Sequence, residues 1–409
     1  MKGEALAQRY LESRSFLLKW KPFWSLSITE DWGALSKEIP PDFLDSTRDL
    51  APQDLYELAR NPWAFPIPKS LETFIGSVGI FSQLDQRSGK FTIPPNLAKN
   101  LTPKKRHEIE SIVGLLKTAK PGQVLDIGGG CGHLARTLAK IYHWRLGTFD
   151  QNPVLQEAGI EYAKAAGCQE RIQFHLGSFP KDFSRELLAQ FAKPTALSIG
   201  LHTCGPLAWS HLESAGSSGR LLNFGCCYEL LNPATETNRS RLAQEHPLPY
   251  NREALFLITR GGLHSTPKGF LHQQDVLEKR YTFDLLLRET GHAAKARAVG
   301  TAPDALYRLS FSGYVQNRLA ALGIEPYGLL GSPEGLENYR KSKKETLRAM
   351  LLATLLRNLI ARPLELSLLI DRALYLAQKT APGVPEVELF EVFSSEISPR
   401  NMAIVRLDP

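Results

Sequence analysis

Between residues 104 and 228 the apolar positions switch repeatedly between helical and strand spacing, and that alternation predicts a layered fold. Residues 104–119 place Ile109, Ile112, Val113 and Leu116 on one helical face. QVLDI then reads as a short buried strand, GGGCG as a turn, and HLARTLAKIYH as a helix. The order repeats through WRLGTFD (strand), PVLQEAGIEYAKAAG (helix), RIQFHLGSF (strand), SRELLAQF (helix), TALSIGLHTCG (strand), LAWSHLESA (helix) and RLLNFGCCY (strand). Strands joined in this way by helices predict an α/β fold with a doubly wound parallel sheet. After Tyr228 the alternation stops, and irregular stretches such as NPATETNRSRLAQEHPLPYN and TRGGLHSTPKGF precede further helices. LELSLLIDRALYLAQK then reads as the last helix, with VELFEVF and NMAIVRL as a closing hairpin that brings the sheet to seven strands.

Four regions follow. Residues 1–100 form an N-terminal helical region broken at IPPDF, NPWAFPIPKS and FTIPPNL, with Trp20, Trp24, Trp32 and Trp63 expected as core anchors. Residues 101–232 form the nucleotide-binding core. Residues 233–363 form a helical insertion after the fifth strand, expected to cover the tips of the strands, and residues 364–409 return to the core.

Composition narrows the class. With 43% hydrophobic and 22% charged residues in a chain of 409, disorder is excluded and a full core is expected. The apolar stretch AMLLATLLRNLIA is shorter than a bilayer span and is interrupted by Arg357 and Asn358, so it reads as a buried amphipathic helix and no membrane partner is expected. The start, MKGEALAQRYLESRSF, lacks the continuous apolar segment of a signal peptide. Cys131, Cys168, Cys204, Cys226 and Cys227 fall in one central stretch without the spacing of a disulfide framework, which places the chain in a reducing compartment, the cytoplasm. The net charge of +7 is compatible with an anionic partner such as RNA, but a solvated surface accounts for it more simply. Lys104, Lys105 and Arg106 carry the same two readings: a phosphate contact or the exposed start of a helix.

The sharpest motif is VLDIGGGCGHLARTLAK, in which Asp126 ends a strand, Gly128, Gly130 and Gly132 occupy the turn, and a helix follows. Such glycines allow positive φ and close approach of a ligand to a helix N-terminus, so a nucleotide-like cofactor belongs there. D-x-G-x-G-x-G suits S-adenosylmethionine, and Asp150, ending the next strand, stands where an acid accepts hydrogen bonds from both ribose hydroxyls. NAD is the alternative, because the ribose acid is common to both cofactors. The adenine is expected near Gly177, Ser178 and Phe179; no acid directly follows Gly177, so Ser178 is assigned a backbone contact.

Strands four and five should end beside the reacting centre. Their tips, GLHTCGPLA and FGCCYELL, bring together His202, Cys204, Cys226, Cys227 and Tyr228. His202 is the candidate base, because imidazole titrates near neutral pH; the alternative is that it only holds the loop. A zinc site from His202, Cys204, Cys226 and Cys227 has suitable ligand types, but adjacent residues of a strand point to opposite faces, so Cys226 and Cys227 share one metal only if the strand has already ended. No metal is therefore assigned. One of the pair is expected to pack into the sheet while the other, with Tyr228, borders the transferred methyl group.

TPKKRHEI at 102–109, VLDIGGGCGHLA, GLHTCGPLA, FGCCYELL, LLIDRALYLAQ at 368–378 and ISPRNMAIV at 397–405 resemble the methyltransferase-like protein 25 family, also described as methyltransferase-domain-32 proteins. The resemblance runs from about residue 100 onward. It implies a Rossmann-like, seven-stranded SAM-dependent methyltransferase, with Asp126, Gly128, Gly130 and Asp150 binding cofactor and His202, Cys204 and the segment from Cys226 to Tyr228 near the acceptor. A tRNA 2'-O-methyltransferase family with comparable H-x-C-G and C-C segments extends the implied acceptors to RNA, although that family carries histidine where Tyr228 stands. A small molecule or a protein as acceptor, and a non-catalytic module that binds cofactor and a partner, are the other readings. The acceptor atom and the oligomeric state are not legible.

Overall fold

Seven strands form where the spacing predicts them: β1 Gln123–Ile127, β2 Leu146–Asp150, β3 Ile172–Leu176, β4 Ala196–Cys204, β5 Arg220–Cys226, β6 Glu388–Glu391 and β7 Met402–Arg406. The coordinates are a computed structural model that describes residues 1–261, 266–292, 302–324 and 331–408. All seven strands lie in one sheet, ordered β3-β2-β1-β4-β5-β7-β6. β1 to β5 run parallel, and β7 is antiparallel to both β5 and β6. The sheet is therefore mixed, and the closing hairpin is its only antiparallel part among the described residues.

Both faces of the parallel portion are covered, which is why its strands read as nearly continuous apolar runs. On one face Val124, Leu146, Leu197, Leu222 and Phe224 join Ile109, Ile112, Val113 and Leu116, the stripe foreseen on the preceding helix. On the other, Leu125, Ile127, Phe149 and Ala196 pack with Phe191. The helices that matter for the site are α1 Pro103–Leu115, α2 His133–Ile141, α3 Pro153–Ala165, α4 Leu207–Ser214 and α5 Lys344–Ala377. The last joins into one helix two stretches that read separately in the sequence, with Pro363 inside it. No helix among the described residues is long and apolar enough to cross a membrane.

The chain divides into two compact units, Met1–Lys19, Gly79–Arg260 and Arg362–Pro409 in the first, and Trp20–Val78 with Gly261–Ala361 in the second. These boundaries differ from the expected regions. The first nineteen residues and residues 79–100 belong with the sheet: the Met1 ammonium donates to the Leu389 carbonyl at 2.9 Å, and Lys2 bridges to Glu388. The expected insertion is likewise split, residues 233–260 going with the sheet; residues 262–265, 293–301 and 325–330 of it lie outside the described residues. The second unit has its own core, built around Phe283, Leu286, Tyr314, Val315 and Leu336. Of the expected tryptophan anchors, Trp24 is fully buried, whereas Trp63 is 58% exposed and anchors nothing.

Candidate functional site

Strand order reverses direction at β1, with β2 on one side and β4 on the other, so the carboxyl ends of β1, β2 and β4 frame the crevice at which such sheets bind ligands. The glycine turn fills its floor. Gly128, Gly130 and Gly132 have φ of 68°, 55° and 62°, the left-handed conformation that a side chain resists, and Gly132 leads directly into α2. Gly129 is required for space instead: a Cβ there would lie 2.1 Å from Thr148 Oγ1 and 2.6 Å from Asp126 Oδ2. Asp126 and Thr148 face each other in register across β1 and β2. Their Oδ2 and Oγ1 atoms are both buried without a hydrogen-bond partner among the described residues.

Asp126 is 2% exposed, and burial pushes its carboxyl up to about 7, opposed by Lys105 and assisted by the charge of Asp150. With a folded value above the ordinary 3.8, the folded state retains a proton that the unfolded chain releases. The contribution of this group is therefore fully present below pH 3.8 and is lost as pH rises to about 7. Asp126→Asn removes this cost, and we expect it to stabilise the protein at pH 8 by up to about 4 kcal/mol. The gain should vanish by about pH 4, as read from urea unfolding at the two pH values.

Asp150 is placed by the turn itself. Its Oδ2 accepts the Gly130 N–H at 2.9 Å and its Oδ1 the Asn152 N–H at 2.9 Å, leaving free lone pairs on both oxygens. The buried Gln156 of α3 donates to the Gly130 carbonyl at 2.9 Å and fixes the turn from the other side. At the tip of β3, Gly177 donates to the Asp150 carbonyl, and the Ser178 N–H is taken by Asp182 Oδ2 at 2.8 Å. An acid does therefore reach the Ser178 backbone, folded back from four positions beyond it. The sequence reading, which looked only at the residue after Gly177, missed it.

The tip of β4 is bent. The pairing with β5 shifts register between Leu201 and Thr203, and His202, at φ 65°, is turned out of the strand. Its Nε2 lies 2.9 Å from Glu108 Oε1 in α1. Glu108 is fully buried, accepts a second hydrogen bond from Ser398 Oγ at 2.8 Å, and has Lys105 Nζ at 3.3 Å and Lys104 Nζ at 3.7 Å. Burial alone would raise its pKa; His202, Lys105 and Ser398 together outweigh burial and hold it down at about 2. An ionised carboxylate can only accept, so Nε2 carries the proton and Nδ1 is the basic nitrogen. Lys105 and, at longer range, Lys104 are thus engaged with a buried acid, at a helix start where Lys104 and Arg106 remain exposed.

β5 ends at Cys226, and Cys227 adopts a left-handed conformation at φ 50° and ψ 50°. This turn removes the objection drawn from strand alternation: the thiol sulfurs of Cys204, Cys226 and Cys227 all lie within 4.8 Å of one another. Cys204 and Cys226 are register partners with their sulfurs 3.0 Å apart. Their shared hydrogen bond draws Cys204 below the ordinary thiol range and drives Cys226 above it. Tyr228 corrects the expectation made for it. It is 1% exposed, with its hydroxyl 3.0 Å from Glu365 Oε1 and 3.2 Å from the Gly225 carbonyl, and Arg400 Nη1 holds Glu365 at 2.9 Å. A ring shut in that network does not border an acceptor.

Residues 104–234, spanning this turn, both strand tips and α1, match a family model described as a methyltransferase domain. This stretch is similar to a methyltransferase domain. The resemblance to methyltransferase-like protein 25 is also upheld: the proteins named probable methyltransferase-like protein 25 from Homo sapiens and Mus musculus are each 26% identical over 227 residues, or 52% of this chain. The chain spans only 36% and 37% of the length of those two relatives. A SAM-dependent methyltransferase from Thiobacillus denitrificans, solved with S-adenosyl-L-homocysteine, is similar at 17% identity and a TM-score of 0.24, covering 32% of this chain and 55% of that one. Within residues 104–234, Glu108, Asp182 and the turn at Cys227 are the features that reading residue by residue did not supply.

Proposed function

We propose that this chain is an S-adenosylmethionine-dependent methyltransferase whose acceptor is met at the tips of β4 and β5. The observation that carries the reading is Asp150, pinned across the glycine turn with lone pairs left on both carboxylate oxygens. An acid so fixed suits a pair of ribose hydroxyls. Leu155, 37% exposed in the first turn of α3, and Leu176, 56% exposed at the end of β3, offer an apolar seat for a base, and the left-handed glycines leave room for the remainder of the cofactor. When bound, S-adenosylmethionine supplies a methyl group activated on sulfonium. The chain's own contribution is positional and basic: the sheet ends set the line of approach, and His202, held through Nε2 by Glu108, can take a proton at Nδ1 from a hydroxyl or amine acceptor.

Titration calorimetry with S-adenosylhomocysteine tests the first half. Wild type should bind, and Asp150→Ala should weaken binding by about 10- to 100-fold, the worth of hydrogen bonds to a charged group. Asp150→Asn, which retains an oxygen for the Gly130 N–H, should fall between them. A wild-type protein that binds neither S-adenosylmethionine nor S-adenosylhomocysteine would end the reading.

A further inference from the structure

We infer that Cys204, Cys226 and Cys227 form a binding site for a soft divalent cation of the zinc class, held by three thiolates with its fourth position open. The site is built by two departures from regular strand geometry. Without the left-handed residue at Cys227 its thiol would face away from that of Cys226, and without the irregularity at His202 the last residues of β4 would not stand opposite Gly225 and Cys226. A non-glycine residue in that conformation costs about 1 kcal/mol or more, and here the result is convergence of three ligand atoms.

The dimensions suit the cation. Zinc–sulfur bonds of about 2.3 Å in a tetrahedral site set the sulfurs roughly 3.8 Å apart, and all three sulfurs lie within 4.8 Å. The Cys204 to Cys226 contact, at 3.0 Å, has to widen by roughly 0.8 Å. No fourth His, Cys, Asp or Glu among the described residues joins the group. Three protein ligands and one solvent position is the arrangement of open rather than closed zinc sites. Cys226 is buried while Cys204 and Cys227 are half-buried, so the open side is the solvent side.

A second, independent observation is one of charge. Arg372 of α5 is fully buried, and none of its three guanidinium nitrogens has a hydrogen-bond partner among the described residues. It lies against the tip of β5, where a Cβ on Gly225 would come within 2.8 Å of its Nη1, and the groups that act on it are Tyr228, Asp371, Glu236 and, last, Cys226. The two carboxylates offset part of the cost of a buried cation without hydrogen-bond partners, and a negative charge at the thiols would offset more. Three thiols that each release a proton to solvent on binding a divalent cation leave a net charge of −1 beside it, and no electron transfer is involved.

The test uses the full chain, purified under reducing conditions without chelator. Elemental analysis should find about one zinc per chain, and Cys204→Ser and Cys227→Ser should each reduce this by about tenfold or more, while Cys168→Ser retains it. Cobalt(II) added to metal-free protein should produce a thiolate-to-cobalt charge-transfer band that zinc displaces, which reads the site in wild type even where a variant fails to fold. Folded wild type without zinc and without the cobalt band overturns the inference, as does undiminished metal in both serine variants. The inference is independent of the proposed function: loss of S-adenosylhomocysteine binding with the cobalt band intact counts against the methyltransferase reading alone.

Discussion

In the His202→Ala protein, methyl transfer is expected to fall by about a hundredfold or more, with affinity for S-adenosylhomocysteine unchanged. The size follows from what positioned proton transfer contributes, and the unchanged affinity from the place of His202 on β4, away from the glycine turn. Glu108→Gln separates the base from its support. Glutamine in that buried position can present an N–H to Nε2, which favours the tautomer with the proton on Nδ1 and removes the basic nitrogen. Turnover should therefore drop with an intact imidazole in place. The same variant has a stability signature. The Glu108 carboxyl lies below its ordinary 4.5 in the folded state, so its contribution is fully present above about pH 4.5 and is lost as pH falls towards 2. Acid unfolding of Glu108→Gln should lack that component, and single-turnover rates measured beside cofactor affinity decide the catalytic part. Turnover unaltered in His202→Ala would assign the histidine to holding the loop.

Gly129→Ala is expected to lose cofactor binding and about 2–3 kcal/mol of stability together. The added methyl group would occupy the space taken by Thr148 Oγ1 and Asp126 Oδ2, at 2.1 and 2.6 Å. Two strands packed on both faces offer little room to yield, so the strain must lift the turn. Gly76→Ala, where a Cβ meets nothing within 4 Å in a helix, is the control and should be neutral or stabilising by up to about 1 kcal/mol. Thermal unfolding and calorimetry on the two variants distinguish a steric demand of the turn from a general sensitivity of glycines. A Gly129→Ala protein that melts and binds like wild type would show that the turn has slack.

How far the sequence carried this picture depended on whether a feature is periodic. Strands as short as Gln123–Ile127 and Met402–Arg406 were legible because an apolar run between turn signals has few alternatives. The glycine turn was legible because D-x-G-x-G-x-G constrains backbone and ligand at once. Glu108 was not, since its partner His202 is 94 residues away. A signal did exist: four residues before Ile112, helical spacing puts this carboxylate on the apolar stripe, where an acid needs a partner. Cys227 illustrates the opposite difficulty. Alternation along β5 was applied one residue too far, and no propensity marks cysteine for a left-handed turn. Tyr228 followed from the same error, because a chain that turns at 227 delivers the next ring inward to Glu365 instead of outward. The compact units depart from the expected regions for a topological reason: Met1 pairs with Leu389 of β6, 388 positions later, which local composition does not encode.

The bond between Ser398 and Glu108 closes a loop of 290 residues around the support of the candidate base. During synthesis the glycine turn, all five parallel strands and His202 have left the ribosome long before Ser398 is made. Until then the carboxylate that orients the histidine lacks one of its partners, and β5 lacks its neighbour β7. A nascent chain can thus hold a formed glycine turn while the support of the candidate base is incomplete, so that the proposed chemistry waits for Ser398 and β7.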